Sequence, residues 1–186
     1  MKVAVTGHTA GIGKAISQWM ISQGHTVVGF SRTTGFDISN DAVLDKIVEL
    51  CYDVDVFVNN AQHDFQQTKL LYMLQEKWQN QQRTIINIGS NRTQSWNHSH
   101  FSRPTYPRHY HTAKLSMDEA CRLLWSLGPW PRIMLVKPCG TQTPGQADYS
   151  NPNHVSAEDM ADLICSAWAE SRCRIQEISF ERNPEK

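Results

Sequence analysis

The chain opens with an apolar, largely β-branched run at 2–6 (KVAVT), which breaks into the glycine-rich turn GHTAGIG and continues as the helical stripe of KAISQWMISQG. In the helical part Ile12, Ile16, Trp19 and Met20 recur at three- and four-residue spacing, and Gly24 supplies the stop. A second strand, HTVVGFS, follows at once. Strand, helix and strand joined this tightly require parallel strands, and they put a glycine turn at a helix N-terminus, where backbone N–H groups gather around an anion. Gly7, Gly11 and Gly13 let the backbone turn sharply and approach a phosphate closely, while Thr9 offers the same anion a hydroxyl.

The alternation continues along the chain. Only TTG separates the second strand from the brief apolar FDI at 36–38, so the helix expected there is missing and the fold is truncated. Asn40 or Asp41 caps a helix to about Leu50, and the strand VDVFVNN follows. Next come a Gln-rich helix over roughly 65–80, the β-branched strand TIINIGS, and a loop at 91–107 rich in Ser, Asn, His, Arg and Pro. A helix from about Tyr106 or His109 to Leu127, the strand RIMLVK, a loop at 138–154, a helix from Ser156 to about Glu170 and the strand EISF complete the pattern. It predicts one domain over 1–186: a Rossmann-like α/β fold with a doubly wound, mostly parallel sheet of about seven strands between helical layers, with shortened helices.

Composition excludes several classes of function. Eighteen basic and eighteen acidic residues cancel and form no basic stripe, so nucleic acid is not an expected partner. The N-terminal apolar run is far too short for a signal-peptide core or a membrane span, which predicts a cytoplasmic protein without a membrane partner. Five scattered cysteines, odd in number and free of any C-x-x-C pair, read as reduced thiols. The pairs His98/His100 and His109/His111 have a spacing that suits metal ligands, but no Cys or carboxylate nearby completes a compact set, and a polar loop is the expectation.

The spacing T-G-x-x-x-G-I-G resembles that of the short-chain dehydrogenase/reductase family. That family's other motifs have counterparts here, in order. Asn59-Asn60-Ala61 resembles its N-N-A-G, IINIGS with Ser90 its serine motif, and Tyr110-x-x-x-Lys114 its catalytic pair. Pro138 to Thr143 resembles its P-G-x-x-x-T, with Cys139 where the glycine usually stands. The resemblance implies that Gly7, Thr9, Gly11, Ile12, Gly13, Asn60, Ala61, Lys114, Pro138, Gly140, Thr141 and Thr143 hold a nicotinamide dinucleotide, with Asp37 and Ile38 beside the adenine. The second strand ends Ser31-Arg32, and a guanidinium there pairs with a 2′-phosphate, so NADP(H) is expected rather than NAD(H).

Tyr110 and Lys114, four apart on a predicted helix, share one face. An ammonium beside a phenol stabilises phenolate and makes the phenol a usable acid/base at neutral pH. Tyr110 is thus the expected proton donor to the alkoxide of a reduced carbonyl, Ser90 the hydrogen-bond donor to the same oxygen, and Lys114, by resemblance, also a ribose ligand. No asparagine stands where the family's fourth catalytic residue usually does, and Asn80, near that region, is assigned no role. Residues 62–66, 91–107 and 139–155, with Trp96, His98 and Tyr106 among them, would shape a pocket for a small carbonyl or alcohol substrate without identifying it.

By resemblance the chain would form a homodimer or homotetramer, and Leu115, Met117, Leu123, Leu124, Trp125 and Trp130 offer apolar surface for core or interface alike. Two other readings stand beside the enzyme: a module that binds NADP(H) as a sensor or regulator without catalysis, and a nucleophilic Cys139 for which spacing supplies no base.

Overall fold

The computed structural model describes residues 1–94, 108–144 and 154–181. Six strands form one parallel sheet: β1 (Lys2–Thr6), β2 (Thr26–Phe30), β3 (Val56–Asn59), β4 (Thr84–Ile88), β5 (Arg132–Lys137) and β6 (Glu177–Ser179). Their spatial order is β2-β1-β3-β4-β5-β6, so the chain winds one way from β1 to β2 and the other way from β3 onward. That reversal opens a crevice at the carboxyl ends of β1 and β3.

The helices are α1 (Gly11–Ser22), α2 (Asp41–Leu50), α3 (Gln66–Lys77), α4 (Arg108–Trp125) and α5 (Ala157–Ala169). Side chains alternate across the pleat, so each strand feeds two cores. Val3, Val5, Val56, Val58, Ile86 and Met134 meet Ile16 and Met20 of α1 and Met160 and Ile164 of α5. Ala4, Phe57, Ile85, Ile133 and Leu135 meet Leu44 and Ile47 of α2, Leu70, Leu71 and Leu74 of α3, and Met117 and Leu124 of α4. Three layers result, as the alternation predicts. Met117 and Leu124 are thereby core residues, whereas Leu123 is exposed. No described helix is long and apolar enough to cross a membrane.

Among the described residues the sheet has six strands, not seven. Residues 36–38 pair with no strand; a 3-10 turn at Arg32–Thr34 and the left-handed Gly35 carry the chain from β2 to α2, with Phe36 and Ile38 packed into the core. The apolar residues of FDI thus serve as a packed connection between β2 and α2. Asn40 caps α2 by accepting from the Ala42 backbone N–H at 3.0 Å.

Register aligns the site. Val5 lies across from Val58, Val58 from Ile86 and Ile86 from Met134, so β1, β3, β4 and β5 end close together along one edge. Beneath that edge a buried ion pair ties α4 to the sheet. The Lys137 ammonium donates to Asp118 Oδ2 at 2.9 Å and to Glu177 Oε1 at 2.6 Å, with Lys137 and Asp118 each 1% exposed and Glu177 27%. The Thr93 hydroxyl donates to Asp118 Oδ2 at 2.6 Å and draws in the turn that follows Ser90. Asp118→Ala is expected to lower the unfolding free energy by about 3 kcal/mol, because it removes a partner from a buried ammonium. Glu177→Gln, at the wetter end, should cost less than about 1 kcal/mol. Urea denaturation at neutral pH measures both, and equal losses would contradict the burial argument.

Candidate active site

The glycine turn is built by close approach. Gly7 and Gly11 have φ of +71° and +53°, conformations in which a side chain is strained. A Cβ on Gly13 would lie 2.4 Å from the Gly7 carbonyl oxygen and 2.5 Å from Asn60 Nδ2, so only glycine lets α1 start directly beneath the turn. The end of β3 is stapled alongside. The Thr6 hydroxyl oxygen accepts from the Asn60 and Ala61 backbone N–H groups at 2.9 and 3.0 Å, while Asn60 Nδ2 donates to the Thr6 carbonyl at 2.9 Å. Thr143 packs over Gly11, whose added Cβ would come within 2.9 Å of its methyl. Gly140 packs in the same way against the His154 ring.

Two hollows meet at this turn, sharing Ala10, Ala61 and Gln62. One, of about 420 Å³, is bounded by Gly7 and Thr9 on the turn and by Ser31, Arg32, Asp37 and Ile38 beyond β2. Arg32 is exposed, and its charge, after the hydrogen bond from the Ser39 backbone N–H, helps hold the Asp37 carboxyl below the usual carboxylate range. The Ser31 hydroxyl is engaged with Thr33 and Thr34 at 2.9 and 3.2 Å.

The other hollow, of about 380 Å³, is lined by Gly11, Ile12, Asn60, Ala61, Ser90, Tyr110, Lys114, Pro138, Thr141 and Thr143. Of the residues expected to hold the cofactor or to act as Ser90, Tyr110 and Lys114 do, all but Gly13 and Gly140 border one of the two hollows. Trp96, His98, His100 and Tyr106 lie outside the described residues. His109, at the start of α4, faces Asp64 at 3.3 Å.

Ser90 is buried just beyond β4, and its hydroxyl oxygen accepts from the Arg92 backbone N–H at 3.3 Å. One helical turn separates Tyr110 from Lys114, whose ammonium is 5.8 Å from the centre of the Tyr110 ring. Lys114 is 4% exposed, and burial pushes its pKa down to about 7 against the opposing field of Asp118. Its ammonium donates to the Ile88 carbonyl at 2.7 Å and to Gln67 Oε1 at 2.8 Å. Cys139 also lines the hollow, but burial raises its pKa and keeps the thiol protonated, the reverse of what an activated nucleophile needs.

Gln67 is the residue that sequence reasoning missed. It occupies the apolar stripe of α3 with Leu70, Leu71 and Leu74, where a lone amide is a sequence signal for a buried polar contact. Asn80, by contrast, follows the far end of α3, where its backbone N–H reaches the Trp130 carbonyl just before β5 begins, away from the hollow.

No family model matches the chain, and no curated protein matches it in sequence. Solved structures match it in fold. The 3-alpha-hydroxysteroid dehydrogenase from Pseudomonas sp. B-0831, complexed with NADH, gives a TM-score of 0.75 at 18% identity, over 96% of this chain and 95% of its own. A short chain dehydrogenase from Burkholderia cenocepacia J2315 in complex with NADP gives 0.76 at 14%, over 97% and 87%. The closed form of serine dehydrogenase complexed with NADP+ gives 0.69 at 18%, over 97% and 94%. The chain therefore has the fold of the short-chain dehydrogenases. At these identities the likeness is one of fold, and the chemistry must be argued from the site.

Gly13→Ala tests the construction of the turn. The added methyl meets the Gly7 backbone carbonyl as well as the hydrogen-bonded Asn60 amide, so a loss of about 2 kcal/mol is expected in thermal or denaturant unfolding. A variant as stable as the parent would show that the turn relaxes freely.

Proposed function

We propose that this chain is a short-chain dehydrogenase/reductase that moves hydride between NADP(H) and a carbonyl or alcohol substrate. One observation carries the reading: Ser90, Tyr110 and Lys114, from β4's end and α4, border a single hollow with the glycine turn of α1. The adjoining hollow, reaching to Arg32, gives the site the elongated, two-part form that a dinucleotide needs.

The residues present fit such a cofactor. Gly7 and Gly11, at positive φ, bring backbone N–H groups to the N-terminus of α1, where a pyrophosphate is favoured by both hydrogen bonding and the helix dipole. Arg32 would pair with a 2′-phosphate. When bound, the nicotinamide supplies or accepts the hydride. Tyr110 then donates a proton to the oxygen of a carbonyl being reduced, or takes one from an alcohol being oxidised. Ser90, whose oxygen already accepts from Arg92, turns its own proton toward the same substrate oxygen. Lys114 keeps one ammonium proton for the hollow and favours the phenolate form of Tyr110 by its charge. With all three groups gathered, a module that merely senses NADP(H) has no observation in its favour.

Carbonyl-dependent oxidation of NADPH tests the chemistry. Tyr110→Phe should lose roughly 10²- to 10⁴-fold in kcat, and Ser90→Ala roughly 10²-fold, with NADPH binding retained. Parental turnover in both variants would sink the proposed roles. Fluorescence titration tests the cofactor preference: Arg32→Ala should weaken NADPH binding roughly tenfold, the equivalent of about 1.4 kcal/mol, and leave NADH binding unchanged. Equal effects on the two cofactors would contradict a 2′-phosphate contact.

A further inference from the structure

Gln67 is 2% exposed, and all of its side-chain hydrogen-bonding atoms are used. The orientation of its amide is forced by its neighbours. The Asn59 and Ile88 carbonyls can only accept, so the Gln67 NH₂ faces them at 2.6 and 3.1 Å; the Lys114 ammonium can only donate, so Oε1 faces it at 2.8 Å. Asn59 Nδ2 returns a bond to the Gln67 backbone carbonyl at 2.8 Å. One side chain thereby joins the ends of β3 and β4 to α4, the three elements that carry Asn60, Ser90 and Lys114.

The surroundings of Lys114 make the chemical nature of this acceptor matter. From α3 it meets Gln67, from β4 the Ile88 carbonyl, and on its own helix Tyr110 and, one turn on, Asp118, the charged group whose field reaches it. Among the described residues no carboxylate lies within ion-pairing distance of its Nζ. We propose that Gln67 is a positioning residue: its neutral carbonyl aims the Lys114 ammonium at the hollow while leaving the positive charge unneutralised for Tyr110. The proposal rests on the acid/base reading of Tyr110 and Lys114. A carboxylate at position 67 would quench the charge, and an apolar side chain would remove one of the two acceptors that hold it.

The test uses the full chain with [ε-¹³C]lysine, the Lys114 resonance being assigned by its disappearance in Lys114→Arg. The proposal expects the Lys114 titration midpoint to rise by at least one pH unit in Gln67→Glu and to fall in Gln67→Met. In both variants kcat should drop at least tenfold, with the KM for the carbonyl substrate changed less than threefold. Midpoints that stay put, or that move the same way in both variants, would overturn it, since a packing role cannot distinguish the sign of the change. Folding of the variants is not required for a second readout. In the unaltered protein the Gln67 side-chain ¹³Cδ resonance should titrate at the Lys114 midpoint, and independence of the two would also overturn the proposal. These titrations need no turnover, so a parent protein that reduces no carbonyl yet shows the paired shifts would sink the dehydrogenase reading alone.

Discussion

A lysine ammonium sealed beneath the carboxyl edge of the sheet, held by neutral acceptors, is the constraint around which the site is arranged. Removing an ammonium from water is strongly unfavourable unless its protons are satisfied, and Lys114 meets part of that demand with one carbonyl of β4 and one amide of α3. Those contacts fix where α4 crosses the sheet and so where Tyr110 stands. The buried pair of Asp118 and Lys137 fixes the next turn of the same helix against β5 and β6. Tyr110, Lys114 and Asp118 recur every four residues, so a single helical face carries the phenol, the ammonium and the anchoring carboxylate.

Much of this was legible in the sequence because it is local. Glycines that permit a positive φ, a β-branched run feeding a helical stripe and a Tyr-Lys pair at four-residue spacing each follow from chain geometry over a few residues. The strand order reverses beside β1, and that places the glycine turn at the crevice as the opening strand-helix-strand unit implied. What stayed hidden is non-local. Gln67 and Lys114 are 47 positions apart, and Lys137 meets Asp118 from another element. Nothing in their immediate neighbours announces such a pairing; only the breaks in otherwise apolar stripes hint at it. The apolar character of Phe36 and Ile38 marks burial, which a strand and a packed loop share.

The shortened route from β2 to α2 leaves the groove's outer wall to Ser31, Arg32, Asp37 and Ile38, drawn together by a 3-10 turn. Economy of length has therefore not removed either half of the groove. Its inner half keeps a buried hydroxyl just beyond β4 beside a phenol and an ammonium one turn apart on α4. The fold alone does not assign chemistry to the chain; the convergence of these groups is what supports the proposed hydride transfer.

Isotope transfer tests the central claim most directly. The protein would be incubated with NADPH deuterated at the nicotinamide C4 and a panel of ketones and aldehydes, and the alcohols analysed by mass spectrometry. The account predicts deuterium on the carbinol carbon of at least one product, delivered from a single face of the nicotinamide. Bound cofactor with no deuterium transferred to any carbonyl would contradict it.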